Sequence, residues 1–453
     1  MIHYYSTNHS VNKVDAATAL LQGQAADKGL FMPDTIPPMT AALLKQAKDL
    51  SYPELASAIM WPYLEGSFTR QQLDEICFDA YNFAVPLEHV SDQRYILRLD
   101  QGPTASFKDF AARFMGRALG RLVQQRGEEL VILTATSGDT GSAVANAFLG
   151  VAGIRVLVLF PVKEVSLRQR KQMTTLGNNI SAIAVDGKFD HCQALVKQAF
   201  ADPELAAIPL SSANSINIGR LIPQSVYYVY AASRLADMAA GEKVIFSVPS
   251  GNFGDMMGGM LAFRSGLPVA KFVIGTNSND EFPRFLNSGI YHPIVPSLEC
   301  ISNAMNVGHP SNLARLTDLY GGHMDHSGTI SKMPDMNRMR GDIFATSISD
   351  DQTRETIKST YLESGTLLEP HGAVGWAALK LYLATEPGAE NITSISLETA
   401  HPAKFPEEVR ATVGREPDIP PSLEGLENRK ESYGSMDINY AAFKNYLQKE
   451  YGK

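Results

Sequence analysis

The chain has 453 residues, 44% of them hydrophobic and 19% charged, with a formal net charge of −8. That size and balance call for more than one globular domain and exclude a disordered chain, while an acidic surface with no run of Lys and Arg speaks against a nucleic-acid backbone as partner. Cys77, Cys192 and Cys300 are too few and too scattered for a disulfide framework or a zinc knuckle, and no apolar stretch approaches the roughly 20 residues of a membrane span, so a soluble cytoplasmic protein is expected.

From Met1 to about Val90, apolar positions recur at helical spacing in Val14–Leu21, Met39–Leu50, Tyr52–Tyr63 and Arg70–Ala80, with breaks at Pro33, Pro37 and Pro38. Beyond about Arg94 the pattern changes to short β-branched runs, Leu130–Thr134, Val156–Phe160, Ser181–Val185, Val244–Val248, Phe272–Gly275 and Ile392–Leu397. Amphipathic stretches lie between them, among them Ser142–Leu149, Asp190–Phe200, Ile218–Met238 and Gly372–Ala384. This alternation predicts an α/β fold of parallel sheets covered by helices on both faces. The stretch Asp335–Asp351 has no clear period, and the tail from Pro417 reads as a loop leading to a final helix.

Two segments share one layout. Leu130–Gly150 reads as strand, SGDTG turn and helix; Val244–Phe263 reads as strand, SGNFGD turn and helix. A glycine turn at that junction lets backbone approach a ligand, and the helix start aims free N–H groups at it, which suits an anion. The nucleotide pattern GxxxxGK[ST] is absent, and SGDTG does not fit the dinucleotide fingerprint GxGxxG.

A third element, Gly102–Arg113 (GPTASFKDFAAR), offers Thr104 or Ser106 as helix cap and puts Lys108 in the first turn beside Phe107 and Phe110. A cation there is opposed by the helix dipole and desolvated by its neighbours, and both effects lower an amine pKa, as a lysine nucleophile requires. The same lysine also reads as half of an ion pair on an exposed helix.

Taken in order, GPTASFKDFAARF, TSGDTGSA, NSINIGRLIPQ, SGNFGD and ETAHPAKF resemble the threonine synthases, fold type II pyridoxal-phosphate enzymes of the tryptophan-synthase-β-like group. The resemblance begins at Tyr4–Pro33 (YYST…LLQGQAADKGLFMP) and extends to Phe405. It implies two three-layer parallel-sheet domains with a helical N-terminal region: residues 1–93 helical, 94–213 a smaller α/β domain carrying the cofactor lysine, and 214–453 a larger α/β domain with the phosphate loop and a C-terminal extension. Lys108 matches the lysine that holds pyridoxal 5'-phosphate covalently and moves protons. Ser250, Gly251, Asn252, Phe253 and Gly254 match the loop that binds the cofactor phosphate, and Thr399 matches the hydroxyl facing the pyridine nitrogen. Asp139 stands where related enzymes usually carry an Asn against the phenolic oxygen. Thr136, Ser137 and Thr140 match substrate contacts; Ser215 and Arg220 match positions that hold the substrate phosphate, with Asn217 and Lys404 as further candidates. The implied reaction is the conversion of O-phospho-L-homoserine and water to L-threonine and phosphate by a monomer or weak homodimer.

His323 and His326 flank Asp325 with no further metal ligand adjacent, and Tyr227, Tyr228 and Tyr230 read as core of an apolar helix.

Overall fold

In the computed structural model, which describes residues 1–452, the strand–helix alternation resolves into two main sheets. Strand Leu130–Ala135 is a fully buried apolar run, as expected of a parallel strand covered on both faces. It lies between Leu210–Ser211 and Ile154–Pro161, followed outward by Ile180–Val185 and Gly434–Met436, all parallel. Because successive residues point to opposite faces, Val131, Leu133, Leu157 and Leu159 meet helices Phe189–Ala201 and Tyr440–Tyr451. Ile132, Val156 and Val158 instead join the main core with helices Lys108–Arg126 and Asp139–Phe148.

The second sheet runs Ile343–Ser347, Val269–Thr276, Val244–Pro249, Ser394–Glu398, Arg94–Arg98, Leu87–Ser91. Only its last pair is antiparallel. One face packs Ile96, Ile245 and Val273 against Trp376, Leu379 and Tyr382 of helix Pro370–Thr385. The other gives Phe246, Phe272 and Ile274 to the core shared with helices Leu221–Leu235 and Gly254–Arg264.

The structure departs from the sequence reading in three places. Arg94–Arg98, placed by that reading at the start of the smaller unit, pairs with Ser394–Glu398 in the other sheet, where Ile96 finds its apolar partners. Conversely, Gly434–Met436 and the last helix, assigned to the larger unit, complete the five-stranded sheet, because Phe443, Leu447 and Tyr451 cover Leu133 and Leu159. The N-terminal region is helical in Ala16–Gln22, Ala41–Gln46, Tyr52–Leu64 and Arg70–Ala80, but it also contains the antiparallel pair Tyr4–Ser6 and Phe31–Pro33. The unassigned stretch 335–351 is helix Met336–Asp342 followed by the edge strand Ile343–Ser347. No helix among the described residues is long and apolar enough to cross a membrane.

The carboxyl ends of four strands open toward one region. Leu130–Ala135 ends at TSGDTG, Val244–Pro249 at SGNFGD, Ser394–Glu398 at Thr399, and Leu210–Ser211 leads to Asn214–Arg220. Ligands of open parallel sheets bind outside such strand ends.

Candidate active site

Lys108, Thr136, Ser137, Asp139, Thr140, Ser215, Arg220, residues 250–254 and Thr399 all line a single cleft of about 850 Å³, its open mouth included. Lys108 begins its helix. Backbone bonds from Phe107 N to Thr399 O (2.9 Å) and from His401 N to Ala105 O (3.0 Å) sew that start to the end of strand Ser394–Glu398. Neither Thr104 nor Ser106 caps the helix. Phe107 stands at the cap position, and Thr104 is taken by Asp109, whose carboxylate accepts from Thr104 N (2.8 Å) and Oγ1 (2.7 Å).

Lys108 Nζ lies 4.5 Å from the centre of the Phe107 ring and 3.9 Å from Asp139 Oδ2. Burial, then the nearby Arg220 and Lys404 cations, bring its amine down to about 8, with Asp139 and Glu369 opposing. The desolvated-amine reading therefore applies, and the exposed ion-pair reading does not.

In the TSGDTG loop, Thr136 Oγ1 accepts from Gly138 N (2.9 Å) and Gly141 N (2.8 Å), holding the helix start in place. Gly138 has φ +130°, where a Cβ would be strained and would run into Gln169. In SGNFGD, Phe253 adopts φ +61° and caps helix Gly254–Arg264 without a side-chain bond. The backbone N–H groups of Gly251, Asn252, Phe253 and Gly254 find no backbone acceptor among the described residues. Such a nest of free donors at a helix start is an anion cradle. Gly251 also has no room for a side chain, since a Cβ would sit 2.7 Å from Met305 Cα.

Arg220 is buried, uses one nitrogen on Ala213 O (2.9 Å) and leaves Nε without a partner. No carboxylate pairs with it among the described residues, and burial lowers its guanidinium to about 10. Asn217 and Lys404 are not available to a ligand. Asn217 spends its side chain on Leu20 O, Ser212 O and Gly219 N, and Lys404 is buried against Asp139 and Thr104 O.

Several groups that support the cleft residues carry no sequence signal of their own, beginning with a partner of Asn252 from the SGNFGD loop. Asn252, whose side chain donates to Ser215 Oγ (2.6 Å) and accepts from Ser311 N (2.7 Å), is joined by Asn312, which donates to Ser215 Oγ (3.1 Å) and Asn252 O (2.9 Å). Arg315 is buried behind them, donating to the backbone oxygens of Phe31, Ser215 and Ile216 and to Asn312 Oδ1. At the Thr399 end, Glu369 accepts from the N–H groups of His371 and Gly372, from His371 Nδ1 and from Thr399 Oγ1 (3.4 Å). Ala304 N donates to His371 Nε2 at 3.0 Å, so the ring proton is on Nδ1 and Glu369 is an acceptor throughout. His371 stands in EPHGAVG, a family-like segment expected to order its loop, but a Pro at a helix start is shared by ordinary helices and does not single out Glu369. Tyr227 and Tyr228 are core: both are buried and donate to Asp255.

Similarity to known proteins extends over nearly the whole chain. The family described as pyridoxal-phosphate dependent enzyme matches residues 84–396, the threonine synthase N terminus matches 3–81, and the threonine synthase C-terminal family matches 372–447. Threonine synthase of Haemophilus influenzae is 39% identical over 450 residues, covering 99% of this chain and all of that protein. The crystal structure of threonine synthase from Escherichia coli superimposes with a TM-score of 0.89 at 35% identity, covering 99% of both chains. A pyridoxal-phosphate-bound threonine synthase from Brucella melitensis gives 0.90 at 34% identity over the full length of both. The chain belongs to the threonine synthase family of pyridoxal-phosphate-dependent enzymes.

Proposed function

We propose that this cleft binds pyridoxal 5'-phosphate on Lys108 and converts O-phospho-L-homoserine and water to L-threonine and phosphate. One observation carries the reading: an amine brought down to about 8 stands in one cleft with two separate anion sites, the free N–H groups of residues 251–254 and the unpaired Arg220. A cofactor phosphate and a substrate phosphate need two such sites.

The residues fit the cofactor. Gly251 to Gly254 offer successive N–H donors where any side chain at 251 would collide, Lys108 Nζ would supply the amine for the aldehyde, and Thr399 lines the same cleft. When bound, pyridoxal phosphate supplies an electron sink that makes the protons at Cα and Cβ of the substrate removable.

The chain's own groups do the rest. The free amine of Lys108 would be the base at Cα, and an amine poised near neutrality can both take and return a proton. Arg220 and the Ser215 hydroxyl hold the substrate phosphate, the fork of the guanidinium matching two of its oxygens. Thr136, Ser137 and Thr140 face the substrate from the SGDTG side. Overall the Cγ–O bond breaks and phosphate leaves with one proton of water, Cβ exchanges one hydrogen for the hydroxyl of that water, Cγ gains the proton that Cβ lost, and Cα regains its hydrogen.

Borohydride reduction of the loaded protein followed by peptide mapping tests the assignment. The reduced cofactor is expected on the Lys108 peptide, and Lys108→Ala is expected to form no threonine. Label on another lysine, or turnover by the variant, sinks it.

A further inference from the structure

Lys404 ends the short helical turn Pro402–Lys404, just after Thr399, and its side chain is wholly buried. Its Nζ donates to Asp139 Oδ1 at 2.6 Å and to Thr104 O at 2.9 Å. Gln169 Nε2 donates to the same Oδ1 at 3.0 Å. The other oxygen, Oδ2, faces Lys108 Nζ at 3.9 Å, beyond hydrogen-bond reach. One buried carboxylate thus serves two buried amines, and serves them unequally.

That inequality matters to the chemistry of Lys108. A carboxylate hydrogen-bonded to an amine favours its charged form, which is not nucleophilic. We propose that Lys404 is a positioning residue: by drawing the Asp139 carboxylate to itself, it leaves the Lys108 amine without a hydrogen-bonded counter-ion and so ready to capture the cofactor aldehyde. The inference rests on Lys108 being the cofactor lysine. In the capture, the neutral amine attacks the aldehyde carbon and a C=N bond forms. Water departs with the carbonyl oxygen and both amine hydrogens.

The surrounding charges agree. Burial alone would raise the Asp139 carboxyl, but Lys404 and Lys108 together hold it below the usual carboxylate range, so it is an anion. Around Lys108 the other charged groups are Arg220, Glu369 and, from helix Gly254–Arg264, Asp255. Asp109, on the same helix as Lys108, is occupied by Thr104. None of these changes when Lys404 or Asp139 is substituted, so the signs can be assigned. Loss of Lys404 removes a repelling cation and turns Asp139 toward Lys108, and both raise the pH at which the amine becomes neutral. Loss of the Asp139 charge with Lys404 retained lowers it. Loss of both opposes the two effects.

The test uses the full-length chain freed of cofactor, supplied with pyridoxal phosphate across a pH series and trapped with borohydride, with label counted on the Lys108 peptide. Parent, Lys404→Met, Asp139→Asn and the double variant are compared, with far-UV circular dichroism checking that each is folded. The midpoint of capture is expected to rise by about one pH unit, a tenfold loss of neutral amine at fixed pH, in K404M. It is expected to fall in D139N and to return close to the parent in the double variant. A purely structural lysine would lower stability and leave the midpoint where it was, and the double variant would not restore it; either result overturns the proposal. If K404M does not fold, D139N and the double variant decide it: an unshifted midpoint in D139N, or no recovery in the double variant, is equally fatal. Failure to label Lys108 in the parent would instead overturn the cofactor assignment, a different result.

Discussion

Ser215 Oγ accepts the side-chain amide of Asn252 at 2.6 Å, and a second amide, from Asn312, reaches the same oxygen at 3.1 Å. A hydroxyl oxygen with both lone pairs engaged has only its hydrogen left to give, and Ser215 lines the cleft. It is therefore set up as a donor to an anion. A hydrogen bond to a charged group is worth about 1.5–3 kcal/mol. Ser215→Ala is accordingly expected to raise KM for O-phospho-L-homoserine roughly 10- to 100-fold with a smaller change in kcat. Asn312→Ala should move KM in the same direction by less, because it loosens the hydroxyl without removing it. Steady-state kinetics decides. A fall in kcat at unchanged KM would place Ser215 elsewhere in the reaction.

Arg220 is a buried cation with no carboxylate in salt-bridge reach among the described residues, an arrangement that costs stability until an anion arrives. Arg220→Met is expected to lower kcat/KM by about 100-fold or more, the loss of roughly 3 kcal/mol of charge-assisted binding. Without ligand its melting temperature should equal or exceed that of the parent, since the desolvated charge is gone. The rise in melting temperature that inorganic phosphate gives the cofactor-loaded parent should disappear. A variant that melts several degrees lower in the absence of phosphate would mark Arg220 as structural instead.

What could be read in the sequence was local. Lys108, SGDTG and SGNFGD announce themselves because strand, glycine turn and helix start are contiguous, and the free N–H groups follow from backbone conformation alone. The buried strands were legible as apolar β-branched runs. Sheet membership was not: Arg94–Arg98 and Gly434–Met436 are placed by partners about 300 and 250 residues away. The same holds for the supporting groups of the site. Asn312 and Arg315 reach Ser215 across about 100 residues, and Lys404 reaches Thr104 across 300. Asn217 misled for a related reason. It lies inside NSINIGR, which the resemblance ties to the substrate phosphate, yet its contacts are to Leu20 and to its own loop.

Gly251 is where the SGNFGD loop has no tolerance. A methyl group there would meet Met305 Cα at 2.7 Å and Ala304 O at 3.3 Å, both backbone-bound atoms that cannot swing aside. Ala304 is in turn tied to His371. Gly251→Ala must therefore displace the loop that presents the N–H cradle. We expect the dissociation constant for pyridoxal phosphate to rise at least about tenfold, with an overpacking cost of about 1–3 kcal/mol in the cofactor-free chain. Equilibrium titration of the cofactor-free protein measures the first and urea unfolding the second. Unchanged affinity would show that residues 251–254 are not the phosphate site.

Asp255 gives the chain a pH dependence of known sign. Its Oδ1 accepts from Tyr227 (2.5 Å) and Tyr228 (2.7 Å), while Oδ2 is buried without a partner. Burial pushes the carboxyl from 3.8 up to about 6, against the lowering effect of the two phenols and Lys108. A carboxyl raised in the folded state favours the fold when protonated. Its contribution is present in full below the unfolded value and is lost as pH rises through about 6. The shift corresponds to about 3 kcal/mol of destabilisation once the group is ionised. Asp255→Asn keeps an oxygen for the two phenols and carries no charge. In the cofactor-free chain it should be more stable than the parent at pH 8, and the gap should close as pH falls from about 6 to about 4. Urea unfolding of both proteins at pH 8, 6 and 4 gives the comparison. A gap that stays constant across that range would mean that Asp255 does not titrate there, and that its second oxygen has found a partner.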